Sequence, residues 1–122
     1  MKIAVTSTGK TLDSQIDPRF GRAAYFVIVD TETMDFEVIE NDNIAAGGGA
    51  GTSSAKVVID AGAEAVLTGN CGPNAQRTLS AADVKLYTGL TGTASEAIEL
   101  YKSGKLTEAS EANVQSHFGM GG

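Results

Sequence analysis

The residue pattern of this chain changes character once, and that change constrains its fold more than any other feature. Up to about residue 40 the apolar stretches are strand-like. Ile3-Ala4-Val5-Thr6-Ser7 is a short, mostly apolar run that ends before Gly9, the pattern of a buried strand. Tyr25-Phe26-Val27-Ile28-Val29 and Phe36-Glu37-Val38-Ile39-Glu40 flank a polar turn and read as an antiparallel hairpin. The first of the pair lacks strict alternation, which fits a central position; the second carries glutamates, which fits an edge. Beyond residue 50, helical repeats alternate with short apolar strands. A helix over residues 53–61 is stopped by Gly62, and Ala65-Val66-Leu67-Thr68 forms a strand. A helix over 73–82 has Pro73 at its first position, with Leu79 and Ala82 facing inward. Residues 84–88 form a strand, and the capping box Thr93-Ala94-Ser95-Glu96 opens a last helix that Gly104 stops.

A hairpin followed by βα alternation implies a mixed, mostly parallel sheet with helices packed on it. The 122 residues suffice for one domain. We assign that domain to residues 1–106 and a flexible, polar and glycine-rich tail to 107–122. Nine Lys and Arg against 15 Asp and Glu give a net charge of −6, which disfavours binding to nucleic acid or an anionic membrane. No apolar run approaches the roughly 20 residues of a transmembrane helix. The N-terminus offers one Lys and then a strand rather than a signal peptide. A cytoplasmic monomer or weak dimer is expected. With one Cys and one His, an internal disulfide, an all-Cys cluster site and a polyhistidine site within one chain are excluded.

The chain has 15 glycines where about nine are expected, and their positions matter more than their number. In open α/β sheets, ligands bind beyond the carboxyl ends of the strands. Three loops converge there: Thr6-Ser7-Thr8-Gly9, Gly47-Gly48-Gly49-Ala50-Gly51-Thr52 and Thr68-Gly69-Asn70-Cys71-Gly72-Pro73. The last two open helices, whose N-termini each present about half a positive charge and a set of N–H donors. They read either as tight turns or as an anion-binding rim. Asp17-Pro18-Arg19-Phe20-Gly21-Arg22 adds two guanidinium forks, available to an oxyanion or a sulfide-rich cluster, or paired with Asp17 and the surplus carboxylates.

Cys71 lies at a helix N-terminus, a place that lowers a thiol pKa. It reads either as a ligand to a soft metal such as Cu(I) or Fe, or as a buried structural thiol. His117 reads either as a reversible ligand or as a solvated tail residue. Three familiar motifs fail. Gly9-Lys10-Thr11 resembles the end of a phosphate-binding loop, but the glycine required at residue 4 is Ala4. The glycines at 47–51 break the dinucleotide fingerprint, and no Gly-x-Ser-x-Gly elbow exists. No paired acid and base can be read from spacing, so a non-enzymatic role is expected.

The opening Lys2-Ile3-Ala4-Val5-Thr6-Ser7, the run Asp17-Pro18-Arg19-Phe20-Gly21-Arg22-Ala23, the loop Gly49-Ala50-Gly51-Thr52 and the stretch Leu67-Thr68-Gly69-Asn70-Cys71-Gly72-Pro73-Asn74-Ala75 together resemble the dinitrogenase iron–molybdenum cofactor biosynthesis family, as in its small stand-alone members. The resemblance spans residues 2 to about 104. It implies a ribonuclease-H-like α/β fold, a five-stranded mixed sheet in the order 3-2-1-4-5 with strand 2 antiparallel. It implies binding, carrying or assembly of an anionic metal–sulfur cluster, of the iron–molybdenum or molybdenum–copper sulfide kind, and a cluster-maturation partner. The candidate contacts are Ser7, Gly9, Arg19, Phe20, Arg22, Gly48, Gly49, Gly51, Thr52, Gly69, Asn70 and Gly72, with Cys71 and His117 as candidate metal ligands. The alternative is a small regulatory or interaction module that binds a phosphorylated metabolite or a protein partner.

Overall fold

The computed structural model describes residues 1–41 and 50–109. Five strands form one sheet: β1 (Lys2–Ser7), β2 (Tyr25–Asp30), β3 (Phe36–Glu40), β4 (Ala63–Leu67) and β5 (Lys85–Tyr87). Three helices pack on it: α1 (Ala50–Asp60), α2 (Pro73–Ala81) and α3 (Ala94–Lys102). The strand order is β3-β2-β1-β4-β5. β2 is antiparallel to both β1 and β3, whereas β1, β4 and β5 pair in parallel. Two antiparallel steps leave β3 pointing the same way as β1, so β2 alone is reversed. The carboxyl ends of β1, β3, β4 and β5 therefore open on a single edge, here called the rim. This is the mixed sheet expected from the residue pattern, and it fits the ribonuclease-H-like arrangement.

Side-chain alternation divides the core into two faces. Ala4, Phe26, Ile28, Val66 and Leu86 lie on one, beneath Ala55 and Val58 of α1 and Ala75 and Leu79 of α2. Ile3, Val5, Val27, Val29, Ala65 and Leu67 lie on the other, beneath Ala94, Ala97 and Ile98 of α3. Coverage on both faces explains why these strands read as continuous apolar runs. In α2 the inward pair is Ala75 and Leu79, one turn apart, and not Leu79 and Ala82. The helix stops a residue early, leaving Ala82 as its exposed C-cap. α1 begins at Ala50, three residues before the expected start.

The expected punctuation is present. Glu96 N donates to Thr93 Oγ1 at 3.1 Å and Thr93 N donates to Glu96 Oε1 at 2.8 Å, which closes the capping box. Gly62 and Gly104 follow their helices at φ +88° and +73°. Past α3, Leu106 packs on the α3 face and Ala109 on the opposite one. Ala109 N donates to Leu86 O at 2.7 Å, while Thr107 and Glu108 are exposed; residues 110–122 lie outside the described residues. Among the described residues, no helix is long and apolar enough to cross a membrane.

Candidate functional site

The rim is built around a loop that four neighbours fasten. Residues 17–24 pass beside the end of β1, where Asp17 N donates to Thr6 O at 3.0 Å. Thr6 Oγ1 donates to the Asp17 carbonyl and shares a hydrogen bond with Thr68 Oγ1, each at 2.8 Å. The Asp17 carboxylate is 2% exposed and closes the loop on itself, accepting from Arg19 N at 3.0 Å and Ala24 N at 3.1 Å. On the far side, Ser54 Oγ of α1 donates to Gly21 O at 3.0 Å, and Asn41 Nδ2 donates to Ala23 O at 2.8 Å. The fourth neighbour is the loop from β4 to α2. Asn70 N donates to Pro18 O at 2.7 Å and Phe20 N to Asn70 O at 3.0 Å, a short parallel bridge.

Two helix N-termini meet beside this loop. Gly51, in the first turn of α1, would place a Cβ 3.3 Å from that of Ala75, in the first turn of α2. A side chain at Gly51 would make one tight contact there. Neither first turn holds an acidic residue, and the N-cap of α2 is Gly72, which supplies no side-chain acceptor. α3 differs, since its capping box takes up Thr93 N and Glu96 N and the carbonyls of Ser14 and Leu12 accept from Ala94 N and Ser95 N. The three arginines of the chain stand on the 17–24 loop (Arg19 and Arg22) and on α2 (Arg77), while Lys2, Lys85, Lys102 and Lys105 sit toward the opposite end. A groove of about 400 Å³ lined by Thr52, Asn74, Arg77, Thr78 and Ala81 runs between α1 and α2.

The candidate residues separate by what they touch. Arg19 Nε and Nη2 lie 3.2 and 3.4 Å from the Asp17 carboxylate, so one edge of the fork is engaged while the side chain stays 61% exposed. Arg22 and Asn70 are exposed on the same rim, and Thr52 and Gly72 are half-buried there. Ser7 is fully buried, its hydroxyl donating to Gly9 O at 2.8 Å, which shapes the turn after β1. Phe20 is 1% exposed and stacks at a tilt on Phe26 with ring centroids 5.7 Å apart, so its side chain belongs to the core. Gly69 is buried against the Pro18 backbone. Gly48, Gly49 and His117 lie outside the described residues. The fasteners Thr6, Thr68, Asn41 and Ser54 were not expected from sequence. Their one local signal is a small polar residue at a position that the apolar pattern assigns to the interior.

Cys71 is buried, one of its two readings, and its thiol pKa is not lowered as its place at a helix N-terminus suggests. It is 1% exposed among apolar residues, and this burial pushes its thiol from an ordinary 9.0 up to about 12. Loss of hydration to the thiolate outweighs the favourable field of the α2 N-terminus. Burial favours the neutral thiol. Its contribution to stability is therefore complete below about pH 9 and is lost as pH rises toward 12. Folded protein at pH 8 should resist iodoacetamide and react once unfolded in urea. Its melting temperature should fall more between pH 9 and 11 than that of Cys71→Ala. Rapid alkylation of the folded chain would contradict this burial.

Residues 1–104 match the family model described as dinitrogenase iron-molybdenum cofactor. The chain belongs to this family. The orange protein of Desulfovibrio gigas, solved in its apo form, superposes with a TM-score of 0.90 at 40% identity, covering 92% of this chain and 95% of that one. A Thermotoga protein of the DUF35 family gives 0.77 at 42% identity over 88% and 91% of the two chains. An uncharacterized protein of Methanocaldococcus jannaschii is 30% identical over 110 residues, 87% of this chain and 93% of its own length.

For a member of the dinitrogenase iron-molybdenum cofactor family, the kind of donor on the rim decides what can be held. Among the described residues, no three His, Cys, Asp or Glu side chains gather as a metal-ligand set. The arrangement instead presents first-turn amides from two helices and guanidinium groups. Groups of this kind can meet an anion through hydrogen bonds and charge.

Proposed function

We propose that this protein is a non-enzymatic carrier that binds an anionic metal–sulfur cluster on the rim and presents it to a maturation partner. The cargo is of the iron–molybdenum or molybdenum–copper sulfide kind. One observation carries the reading. Two acid-free helix N-termini are packed together at Gly51 and Ala75, and both are tied to the arginine loop through Ser54 and Asn70. A sulfide-rich cluster spreads negative charge over soft surface atoms. N–H donors and guanidinium groups meet that charge without locking the cargo in place, which suits a carrier that must release it. The net charge of −6 does not oppose this, because the local field is set by dipoles and the nearest cations.

Anaerobic mixing of the apo-protein with tetrathiomolybdate and Cu(I) should produce a visible charge-transfer band. It should also shift the amide resonances of residues 19–22, 51–54 and 69–75. Replacing both Arg19 and Arg22 by Ala should weaken uptake at least about tenfold, since each charged hydrogen bond is worth about 1.5–3 kcal/mol. The absence of both the band and the shifts would overturn the proposal. Inorganic phosphate shifting the same amides without cluster uptake would favour a module for phosphorylated metabolites.

A further inference from the structure

Residues 105–109 cross from one core face to the other around the outer edge of the sheet. The C-terminal end of α3 lies at the edge opposite the rim, where Tyr101 Oη donates to Met1 Sδ at 3.4 Å. From there Leu106 stays on the α3 face, and Ala109 reaches the face covered by α1 and α2. Between them the chain passes over the outer side of β5, an edge strand of three residues. Ala109 N donates to Leu86 O at 2.7 Å. A groove of about 310 Å³ lined by Gln76, Ser80, Val84, Leu86, Glu108 and Ala109 remains open alongside, so the segment docks without filling its site. The family match ends at residue 104, immediately before this segment.

Backbone bonds join the covered edge to the rim. The residue after Leu86 is Tyr87, whose carbonyl accepts from Thr68 N at 3.0 Å. Gly89 N donates to Gly69 O at 2.7 Å and Leu90 N to Thr68 O at 3.3 Å. Asn70 then pairs with Pro18 and Phe20 in the arginine loop. We infer that residues 105–109 are a regulatory strap. Docked on β5, the strap holds the turn at Gly69 and Asn70 in the geometry that binds the cargo; undocked, it loosens that turn and favours release. An extended segment of a partner that offers N–H groups to the same edge is the chemistry that displaces it. This inference rests on the cargo-binding reading of the rim, but its first test does not.

Ala109→Pro removes the N–H that reaches Leu86, and Leu106→Ala weakens the anchor on the other face. Amide exchange at Gly89, Asn70 and Phe20 should quicken at least about tenfold in both full-length variants. Exchange at Met34, bonded to Asp30 O in the distant hairpin turn, should stay unchanged. Unchanged exchange at the rim, or equal acceleration at Met34, would overturn the inference and leave the strap a structural cover. With tetrathiomolybdate and copper, both variants should then lose the visible band faster on dilution. Release at the wild-type rate would likewise overturn it. If no band forms with any variant, the carrier reading fails while the exchange result still decides the coupling.

Discussion

Asp17→Ala should destabilise the protein by about 3 kcal/mol and lower its melting temperature by roughly 10 °C. The carboxylate is 2% exposed and accepts from two backbone N–H groups, those of Arg19 and Ala24. Truncation removes the acceptor and leaves these donors in a site closed to water, where each unmet group costs about 1–3 kcal/mol. The Arg19 guanidinium contributes less, because at 61% exposure it regains hydration when its partner goes. Asp17→Asn, which keeps one acceptor oxygen in place, should lose about half as much. Arg19→Ala should cost about 1 kcal/mol or less, since it leaves both backbone bonds to Asp17 intact. Equilibrium urea unfolding of the three variants checks the order. If Asp17→Ala lay within about 0.5 kcal/mol of the wild type, the carboxylate would not be what closes the arginine loop. The effect on cluster uptake should exceed the effect on stability, because the same loop orients both Arg19 and Arg22.

This ordering also shows which parts of the site local sequence can reveal. The strands were legible because two-sided burial demands unbroken apolar runs such as residues 25–29, and the helices because Thr93, Glu96, Gly62 and Gly104 are local signals. The antiparallel pairing of β2 with β3 followed from a short polar turn, which can join only antiparallel neighbours. The rim was legible as a place, since topology alone brings strand ends together. Its construction was not legible. Thr6 and Thr68 lie 62 residues apart and meet only through the parallel pairing of β1 and β4. Ser54 and Asn41 reach the Arg loop across 33 and 18 residues. Cys71 and Phe20 both sit in segments whose neighbours are polar or glycine. Their depth depends on how α1, α2 and the sheet close over them, and no spacing rule reports that.

The glycine surplus divides in the same way, and Gly69 makes the sharpest test. A Cβ at this position would lie 2.8 Å from Pro18 Cα and 3.0 Å from Pro18 O. Both are backbone atoms and cannot swing aside as a side-chain tip would. Relief requires the two rim loops to part, which stretches the bond from Asn70 N to Pro18 O, now 2.7 Å, and that from Phe20 N to Asn70 O, now 3.0 Å. Gly69→Ala should therefore cost about 2–4 kcal/mol, from overpacking together with weakened buried hydrogen bonds. Two other glycines calibrate the effect. Gly89→Ala meets open space but holds φ at +77°, so its cost should be the roughly 1–2 kcal/mol of a left-handed residue. Gly51→Ala gains up to about 1 kcal/mol of helix propensity against one tight contact with Ala75, and should fall near neutral. Chemical denaturation of the three variants, read with the amide shifts of residues 18–20 and 69–71, separates conformation from close approach. A Gly69→Ala protein no less stable than Gly51→Ala, with those resonances unmoved, would show that the rim loops do not depend on backbone contact. If they do, cluster uptake should be lost in Gly69→Ala and retained in Gly89→Ala.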